Sequence, residues 1–252
     1  MTQYAMIIDL RKCVGCGACA LACKTENNTA LRNKGQTHNW ADFIHQTEGK
    51  FPDTKYQTLP VLCNHCANAP CVAACPVTPK AMYKTPEGIT MHNNKRCIGC
   101  RACQAACPYS MEEVKKDGAN GEYSVISYNE GVSHPMYSKK QEAIAGCTSS
   151  GQDTAKAVGT TPPHRTLYAH PDYKDVRRSN IVEKCIFCDH RLKKGLAPYC
   201  VDSCPAQARI FGDRDDPKSA VAQALKKYTS TVLKPKEGTQ PNVFYIREYS
   251  AR

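Results

Sequence analysis

The chain has 252 residues, a formal net charge of +11 at pH 7, 17 cysteines, five phenylalanines and one tryptophan. This length predicts one or two domains, and so few Phe and Trp residues leave few large anchors for a purely hydrophobic core. No Lys/Arg block typical of nucleic-acid binding occurs, and no apolar run is long enough to span a bilayer. The first ten residues lack the charged and apolar regions of a secretory signal, so we expect no leader.

Short strands and helices are predicted between the cysteines. In chain order they are a strand at Tyr4–Asp9, a hairpin of Ala81–Lys84 and Ile89–His92, a strand at Tyr123–Tyr128, a helix at Asn180–Lys193, a helix from Pro217 to Lys226 and a strand at Val243–Arg247. Apolar and β-branched residues between turn signals favour the strands, and proline is favoured in the first turn of a helix. This mixture predicts an α+β fold.

Two polar stretches contain none of the grouped cysteines. They are Thr25–Lys55, which holds the tryptophan, and Glu130–Arg178, which is rich in Ser, Thr, Gly and Pro. Long segments without evident secondary structure are usually functional or disordered. We therefore expect them to be loop insertions that contact a partner protein, the alternative being solvated loops over the surface.

Sixteen of the seventeen cysteines fall into four groups. The groups are Cys13, Cys16, Cys19 and Cys23; Cys63, Cys66, Cys71 and Cys75; Cys97, Cys100, Cys103 and Cys107; and Cys185, Cys188, Cys200 and Cys204. The first and third have the x2, x2, x3 spacing of two-cluster ferredoxins, in which the fourth cysteine binds the neighbouring cluster. The second and fourth keep the first and last intervals, with a loop inserted between them.

Four complete groups predict four [4Fe–4S] clusters and no three-iron site. Because the fourth ligand crosses between clusters, the groups must pair, either one with two and three with four, or one with four and two with three. Each oxidised cluster with its thiolates carries about −2, so four of them reduce the formal charge from +11 to about +3. This small excess argues against a nucleic-acid partner. Zinc sites and disulfides are the alternatives that this spacing disfavours.

Other residues near the groups are assigned supporting roles. Cys147 is expected to be an ordinary free thiol. His65 and His190 are expected to donate hydrogen bonds near a cluster or to lie at the surface. The basic residues beside the groups, which would balance cluster charge and raise reduction potentials, are Lys24, Arg101, Lys184, Arg191 and Lys193. With four cysteines on every cluster, no iron is open to a substrate, so no catalytic site is expected.

Around these motifs the chain resembles the four-cluster iron–sulfur (beta) subunits of the DMSO reductase family of molybdopterin oxidoreductases. The resemblance extends to Cys-Lys-Thr-Glu-Asn-Asn (23–28), Leu-Cys-Asn-His-Cys (62–66), Cys-Ile-Phe-Cys-Asp-His-Arg-Leu (185–192) and Val-Phe-Tyr-Ile-Arg (243–247). Within the family, the chain is most similar to the beta subunits of respiratory arsenate reductases, and then to those of polysulfide and thiosulfate reductases.

The resemblance implies which cysteines share a cluster. The sets are Cys13, Cys16, Cys19 and Cys204 (set 1); Cys23, Cys185, Cys188 and Cys200 (set 2); Cys63, Cys66, Cys71 and Cys107 (set 3); and Cys75, Cys97, Cys100 and Cys103 (set 4). It also implies two ferredoxin-like modules of two clusters each, with long loop insertions. The expected divisions are 1–56, the first part of module B with an insertion; 57–129, module A; 130–179, an insertion; 180–212, the second part of module B; and 213–252, a C-terminal helix and strand.

The implied function is electron relay between a large molybdopterin catalytic subunit, near set 1, and a quinol-oxidising membrane subunit or cytochrome, near set 4. Family members of this type are exported bound to a partner with a twin-arginine signal, which implies a periplasmic location; a cytoplasmic one is the alternative. A different class of function, a free-standing polyferredoxin, stays open on the cysteine pattern alone.

Overall fold

The computed structural model describes residues 2–27, 29, 40–110, 124–129, 141–142, 144–159 and 180–249. Most of the predicted insertion at 130–179 lies outside these ranges, and so does Tyr123 at the start of a predicted strand. The strands are β1 (Tyr4–Asp9), β2 (Ala41–Glu48), β3 (Lys55–Leu62), β4 (Met82–Lys84), β5 (Thr90–His92), β6 (Ile126–Asn129), β7 (Ile181–Lys184), β8 (Arg209–Asp213), β9 (Ser230–Thr231) and β10 (Val243–Ile246). The helices are α1 (Ala18–Asn27), α2 (Pro70–Ala73), α3 (Ala102–Ala106), α4 (Gly151–Ala157), α5 (Asp189–Leu192), α6 (Tyr199–Asp202) and α7 (Ala220–Lys227), with a 3₁₀ turn at Pro235–Glu237.

A four-stranded sheet brings the two ends of the chain together in the order β8-β1-β10-β9. Strand β1 runs antiparallel to β8 and parallel to β10, with Ile8 opposite Arg209 and Tyr245. Its residues from Ala5 to Asp9 are buried, which explains the continuous apolar run at the start of the sequence. Because β1 ends just before Cys13 and β8 begins soon after Cys204, this pairing places the first and fourth cysteine groups at one edge of the sheet.

Three two-stranded sheets complete the described strands, formed by β2–β3, β4–β5 and β6–β7. The predicted hairpin is confirmed as β4–β5, with Met82 opposite His92. The first predicted strand is confirmed with its bounds, and the last ends one residue earlier than expected. No helix in the described ranges is long and apolar enough to cross a bilayer.

The predicted helix at Asn180–Lys193 is wrong over its first part. Residues Ile181–Lys184 form β7, which pairs antiparallel with β6, and only Asp189–Leu192 are helical. All four side chains of β7 are buried, so both faces of the strand pack against protein. This pairing joins residues more than 50 positions apart, which local sequence signals do not show.

The polar stretch Thr25–Lys55 is not a single loop. It contains the end of α1 and the whole of β2, whose pairing with β3 runs from Ala41 opposite Leu62 to Glu48 opposite Lys55. The hairpin therefore crosses the expected division between residues 56 and 57. The helix expected from Pro217 begins instead at Ala220, because the Ser219 hydroxyl accepts a hydrogen bond from the Ala222 N–H and caps its first turn.

Candidate iron–sulfur centres

The first Cys-x-x-Cys segment of each group turns on a residue with left-handed backbone at its third position. These residues are Gly15 (φ +68°), His65 (+45°), Gly99 (+72°) and Phe187 (+51°). Glycine adopts this conformation freely, whereas histidine and phenylalanine do so only when their surroundings hold them there. The same turn therefore occurs in all four groups, twice without glycine.

This turn directs backbone N–H groups toward the ligand sulfurs. The N–H of Gly99 donates to Cys97 Sγ at 3.4 Å, and the N–H of Phe187 donates to Cys185 Sγ at 3.4 Å. Such bonds stabilise thiolates, and in iron–sulfur proteins they tune the reduction potential.

Three cavities in the described part of the chain are each lined by four grouped cysteines. The first is lined by Cys13, Cys16, Cys19 and Cys204, the second by Cys63, Cys66, Cys71 and Cys107, and the third by Cys75, Cys97, Cys100 and Cys103. Their volumes are about 350, 340 and 290 Å³ respectively, with open space at their mouths included. In each cavity one cysteine comes from a different sequence group than the other three, which pairs group one with four and group two with three.

The remaining four cysteines, Cys23, Cys185, Cys188 and Cys200, are all buried and close together. Asn27 Nδ2 lies 3.6 Å from Cys23 Sγ and 3.8 Å from Cys188 Sγ. Burial raises the pKa of the Cys23 thiol, and the neighbouring sulfurs of Cys188 and Cys200 raise it further. All four predicted sets are thus brought together in the structure.

The surroundings of the cavities suit sulfur-rich clusters. No Asp or Glu lines any of the three cavities. The second cavity is also lined by Asn64 and Thr90, whose buried side-chain amide and hydroxyl have no hydrogen-bond partner among the described residues. Such groups would be satisfied by the sulfides and thiolates of a bound cluster. In the described ranges, no three or more His, Cys, Asp or Glu side chains are arranged to hold a single metal ion directly.

Burial keeps two thiols of the second cavity, those of Cys66 and Cys71, protonated when iron is absent. It raises the pKa of Cys66 to about 11 and that of Cys71 to about 12, with the sulfur of Cys63 adding to both shifts. Because iron binds thiolates, cluster assembly in this cavity must release protons.

Exposure differs between the sets. Among the sixteen grouped cysteines, all of which lie in the described ranges, Cys16 of set 1 and Cys100 of set 4 are exposed. Every cysteine of sets 2 and 3 is buried. Sets 1 and 4 therefore reach the surface, and sets 2 and 3 lie inside.

Two lysines near the inner sets are held by the cysteine loops. Lys184 is 1% exposed, and its Nζ donates to the carbonyls of Thr90 and Cys185. Lys84 is partly buried, and its Nζ donates to the Cys66 carbonyl at 2.8 Å. Lys184 was predicted from its position beside a cysteine, whereas Lys84 is not adjacent to any grouped cysteine in the sequence.

Arg209 is a buried cation that sequence analysis missed. It is 4% exposed, lines the set 1 cavity, and has its pKa raised by the nearby sulfurs of Cys200 and Cys19 despite its burial. Its guanidinium therefore interacts electrostatically with cysteines of both set 1 and set 2. No local signal marks it, because the pairing of β8 with β1 decides which side chains of β8 are buried.

The two histidines beside the ligands are buried rather than exposed. His65 accepts a hydrogen bond from the Thr90 N–H at Nδ1 (3.2 Å), and its ring stacks on Phe187 with centroids 3.6 Å apart. Burial lowers the pKa of His65 well below its ordinary value, so the ring is neutral. The His190 ring lies 2.6 Å from Glu26 Oε1.

The remaining flanking basic residues make local contacts. Arg191 pairs with Glu26 and Asp202, and Lys193 pairs with Asp189. Arg101 lies 5.1 Å from the centroid of the Tyr128 ring, and Lys24 Nζ donates to Thr29. Cys147 is exposed and belongs to none of the four sets.

Comparison with known proteins shows iron–sulfur domains in this chain. The 4Fe-4S dicluster domain model matches residues 54–124 and 138–214, and the 4Fe-4S binding domain model matches residues 4–25. The arsenate respiratory reductase iron-sulfur subunit ArrB of Shewanella sp. (strain ANA-3) is 46% identical over 99% of this chain and 98% of its own length. The chain belongs to the family of iron–sulfur electron-transfer subunits of molybdopterin reductases.

Other members of this iron–sulfur subunit family align over nearly the whole chain. The B subunit of tetrathionate reductase from Salmonella typhimurium is 35% identical over 97% of this chain and 72% of its own length. The B subunit of selenate reductase from Mesobacillus selenatarsenatis is 32% identical with the same coverage. The family predicted from the motifs is confirmed, and so are the ferredoxin-like domains within an α+β structure. The family's subunits transfer electrons within reductase complexes and are not themselves catalytic.

Proposed function

We propose that this chain carries electrons through four [4Fe–4S] clusters, bound by sets 1 to 4, between a molybdopterin catalytic subunit and a quinol-oxidising membrane subunit or cytochrome. The clusters form two ferredoxin-like modules, with sets 1 and 2 in one and sets 3 and 4 in the other. When bound, each cluster accepts and gives up one electron. The protein holds the clusters in order, shields the inner ones from water and sets their potentials.

The observation that carries this proposal is the exposure of Cys16 and Cys100 while every cysteine of sets 2 and 3 is buried. Electron tunnelling weakens exponentially with distance, so a relay needs accessible ends and closely spaced inner stations. Exposed apolar side chains stand beside each end, Val14 (73% exposed) next to Cys13 and Ile98 (65%) next to Cys97. Exposed apolar residues of this kind suit contact with a partner. We assign the set 1 end to the catalytic subunit and the set 4 end to the electron donor.

Arsenate is the proposed substrate of the complex. Identity to ArrB is higher than to the tetrathionate and selenate reductase subunits, and the alignment covers 98% of ArrB against 72% of each of the others. The second candidate is a polysulfide, thiosulfate or related reductase, which the 35% identity to the tetrathionate reductase subunit favours. The complex is proposed to be periplasmic, exported with a catalytic partner that carries a twin-arginine signal.

Anaerobic purification of the tagged chain from its native host tests this function. We expect a large molybdopterin-containing partner to co-purify, about sixteen irons per chain, and arsenate reduction by the complex with a reduced viologen dye as donor. Recovery of the fully loaded chain alone, stable as a monomer at high dilution, would favour a polyferredoxin. Reduction of tetrathionate or polysulfide but not arsenate would favour the second candidate. Cell fractionation tests the location.

A cysteine variant tests the pairing of ligands. Cys204→Ser removes a ligand of set 1 although its nearest grouped neighbour in sequence, Cys200, belongs to set 2. We expect the electron paramagnetic resonance signals to show loss or conversion of one cluster, with the other three retained. Cys147→Ser is the matched control and should leave all four intact. Damage to the cluster of Cys200 with the set 1 cluster intact would contradict the assignment.

A further inference from the structure

Lys184 lies at the junction between the two inner cysteine sets. It is among the largest fully buried side chains, at 1% exposed. Its Nζ donates to the carbonyl of Cys185, a set 2 cysteine, at 2.6 Å. It also donates to the carbonyl of Thr90, which lines the set 3 cavity. One side chain therefore contacts the walls of both inner sites, across 94 residues of sequence.

The junction itself is tightly built. His65, from the second cysteine group, stacks on Phe187, from the fourth, with ring centroids 3.6 Å apart. Both residues have left-handed backbone, and Thr90 donates its N–H to the His65 ring. The sulfurs of Cys63 and Cys185 are near enough to interact electrostatically. The two inner sites therefore face each other across a buried contact, and Lys184 bonds to both sides of it.

No acidic side chain in the described parts of the chain pairs with Lys184. The hydrogen bonds of its ammonium group go to two backbone carbonyls, which are neutral. A buried ammonium without a counter-charge is costly, because it loses its hydration and gains no opposite charge in return. The nearby thiol sulfurs, among them that of Cys71, become anionic when they bind iron, and a loaded cluster with its four thiolates is negative overall. The inner clusters are thus the available counter-charge.

We propose that Lys184 is the shared counter-charge of the clusters in sets 2 and 3 and holds the reduction potentials of both above the values they would otherwise have. This inference depends on the proposed four-cluster function. Adding an electron to either cluster increases its negative charge, and a fixed positive charge in a buried site of low dielectric constant favours that step. The outer sets reach the surface at Cys16 and Cys100, where solvent and salt screen charges, so we expect Lys184 to affect them less.

The experiment is an anaerobic redox titration of the intact complex, followed by electron paramagnetic resonance. Lys184→Gln removes the charge but keeps an amide that donates hydrogen bonds, and Lys184→Arg keeps the charge. In K184Q we expect two of the four transitions to move to lower potential and two to stay. K184R should keep all four near their original values. Lys193→Gln is the matched control from the same segment, because Lys193 is half exposed and pairs with Asp189; it should shift none.

The outcomes separate this inference from the proposed function. Fewer than four clusters in the unmodified complex would refute the four-cluster function itself. Four clusters whose potentials are unchanged in K184Q, or that all shift equally, would overturn the role of Lys184 alone. If K184Q and Lys184→Met both fail to load iron while K184R loads fully, Lys184 serves assembly of the site, and its role in setting potentials is again refuted.

Discussion

Gly99 offers the sharpest test of how the cysteine loops are built. Its backbone is left-handed (φ +72°), and a Cβ added there would overlap the carbonyl oxygen of Asn180 and come within 3.2 Å of its carbonyl carbon. Asn180 cannot easily move, because its N–H donates to the Asn129 carbonyl where β6 meets β7. Gly99→Ala therefore combines left-handed strain of about 1–2 kcal/mol with overpacking of about 1–3 kcal/mol.

Gly17→Ala is the matched control. Gly17 is also left-handed (φ +79°), but nothing lies within 4 Å of an added Cβ. At the equivalent position of the third group, Arg101 adopts the same conformation (φ +61°), so a side chain is tolerated in this turn. The control should then carry the strain of about 1–2 kcal/mol alone.

The assay compares iron per chain and the temperature at which visible cluster absorbance is lost, both measured without oxygen. We expect G99A to lose the set 4 cluster or to release it at lower temperature than G17A. The two variants should differ in stability by about 1–3 kcal/mol, the overpacking contribution. In a chain of this size each kcal/mol lowers the transition temperature by about 2–4 °C. Full loading of G99A, with thermal loss at the same temperature as G17A, would refute the steric reasoning.

Three further predictions concern the thiols. The chain should bind iron more weakly, and bind fewer irons per chain, as the pH falls from 8 to 6, because the raised pKa of Cys71, about 12, makes protons compete with iron. Equal iron per chain at pH 8 and pH 6, without proton release, would contradict this. In the iron-free chain, the raised pKa values of Cys66 and Cys71 stabilise the fold below pH 9, and this contribution is lost as the pH rises toward 11–12. Urea unfolding of the reduced chain should therefore show a lower free energy of unfolding at pH 10 than at pH 7.5. An equal free energy of unfolding at both pH values would argue against buried thiols. In the loaded chain, an alkylating reagent should modify Cys147, which is exposed and outside the four sets. The C147S variant should lose this labelling and keep its iron. Labelling that persists in C147S would show that a grouped cysteine is free.

Several features followed directly from the sequence because they depend on residues close together in the chain. The intervals between cysteines predicted iron–sulfur loops. Two short strand-like runs separated by turn residues predicted the β4–β5 hairpin. The family prediction rested on short motifs around the cysteines and is confirmed. Prediction failed where the pairing of distant strands decides the outcome. Residues Ile181–Lys184 were predicted as part of a helix around Cys185 and Cys188, but they form β7 by pairing with β6, more than 50 positions away.

The cysteine pattern alone gave sixteen grouped thiols and predicted that one ligand of each group crosses to a neighbouring cluster. The spacing left open which cysteine groups share a cavity. In the structure β1 pairs with β8 and with β10, and this pairing brings the first and last cysteine groups together. The burial of Arg209 and Lys184 was likewise decided only by tertiary structure. The physical reason is that each cluster site combines sulfurs and charged side chains from separate parts of the chain. Only the folded backbone sets the distances between these groups.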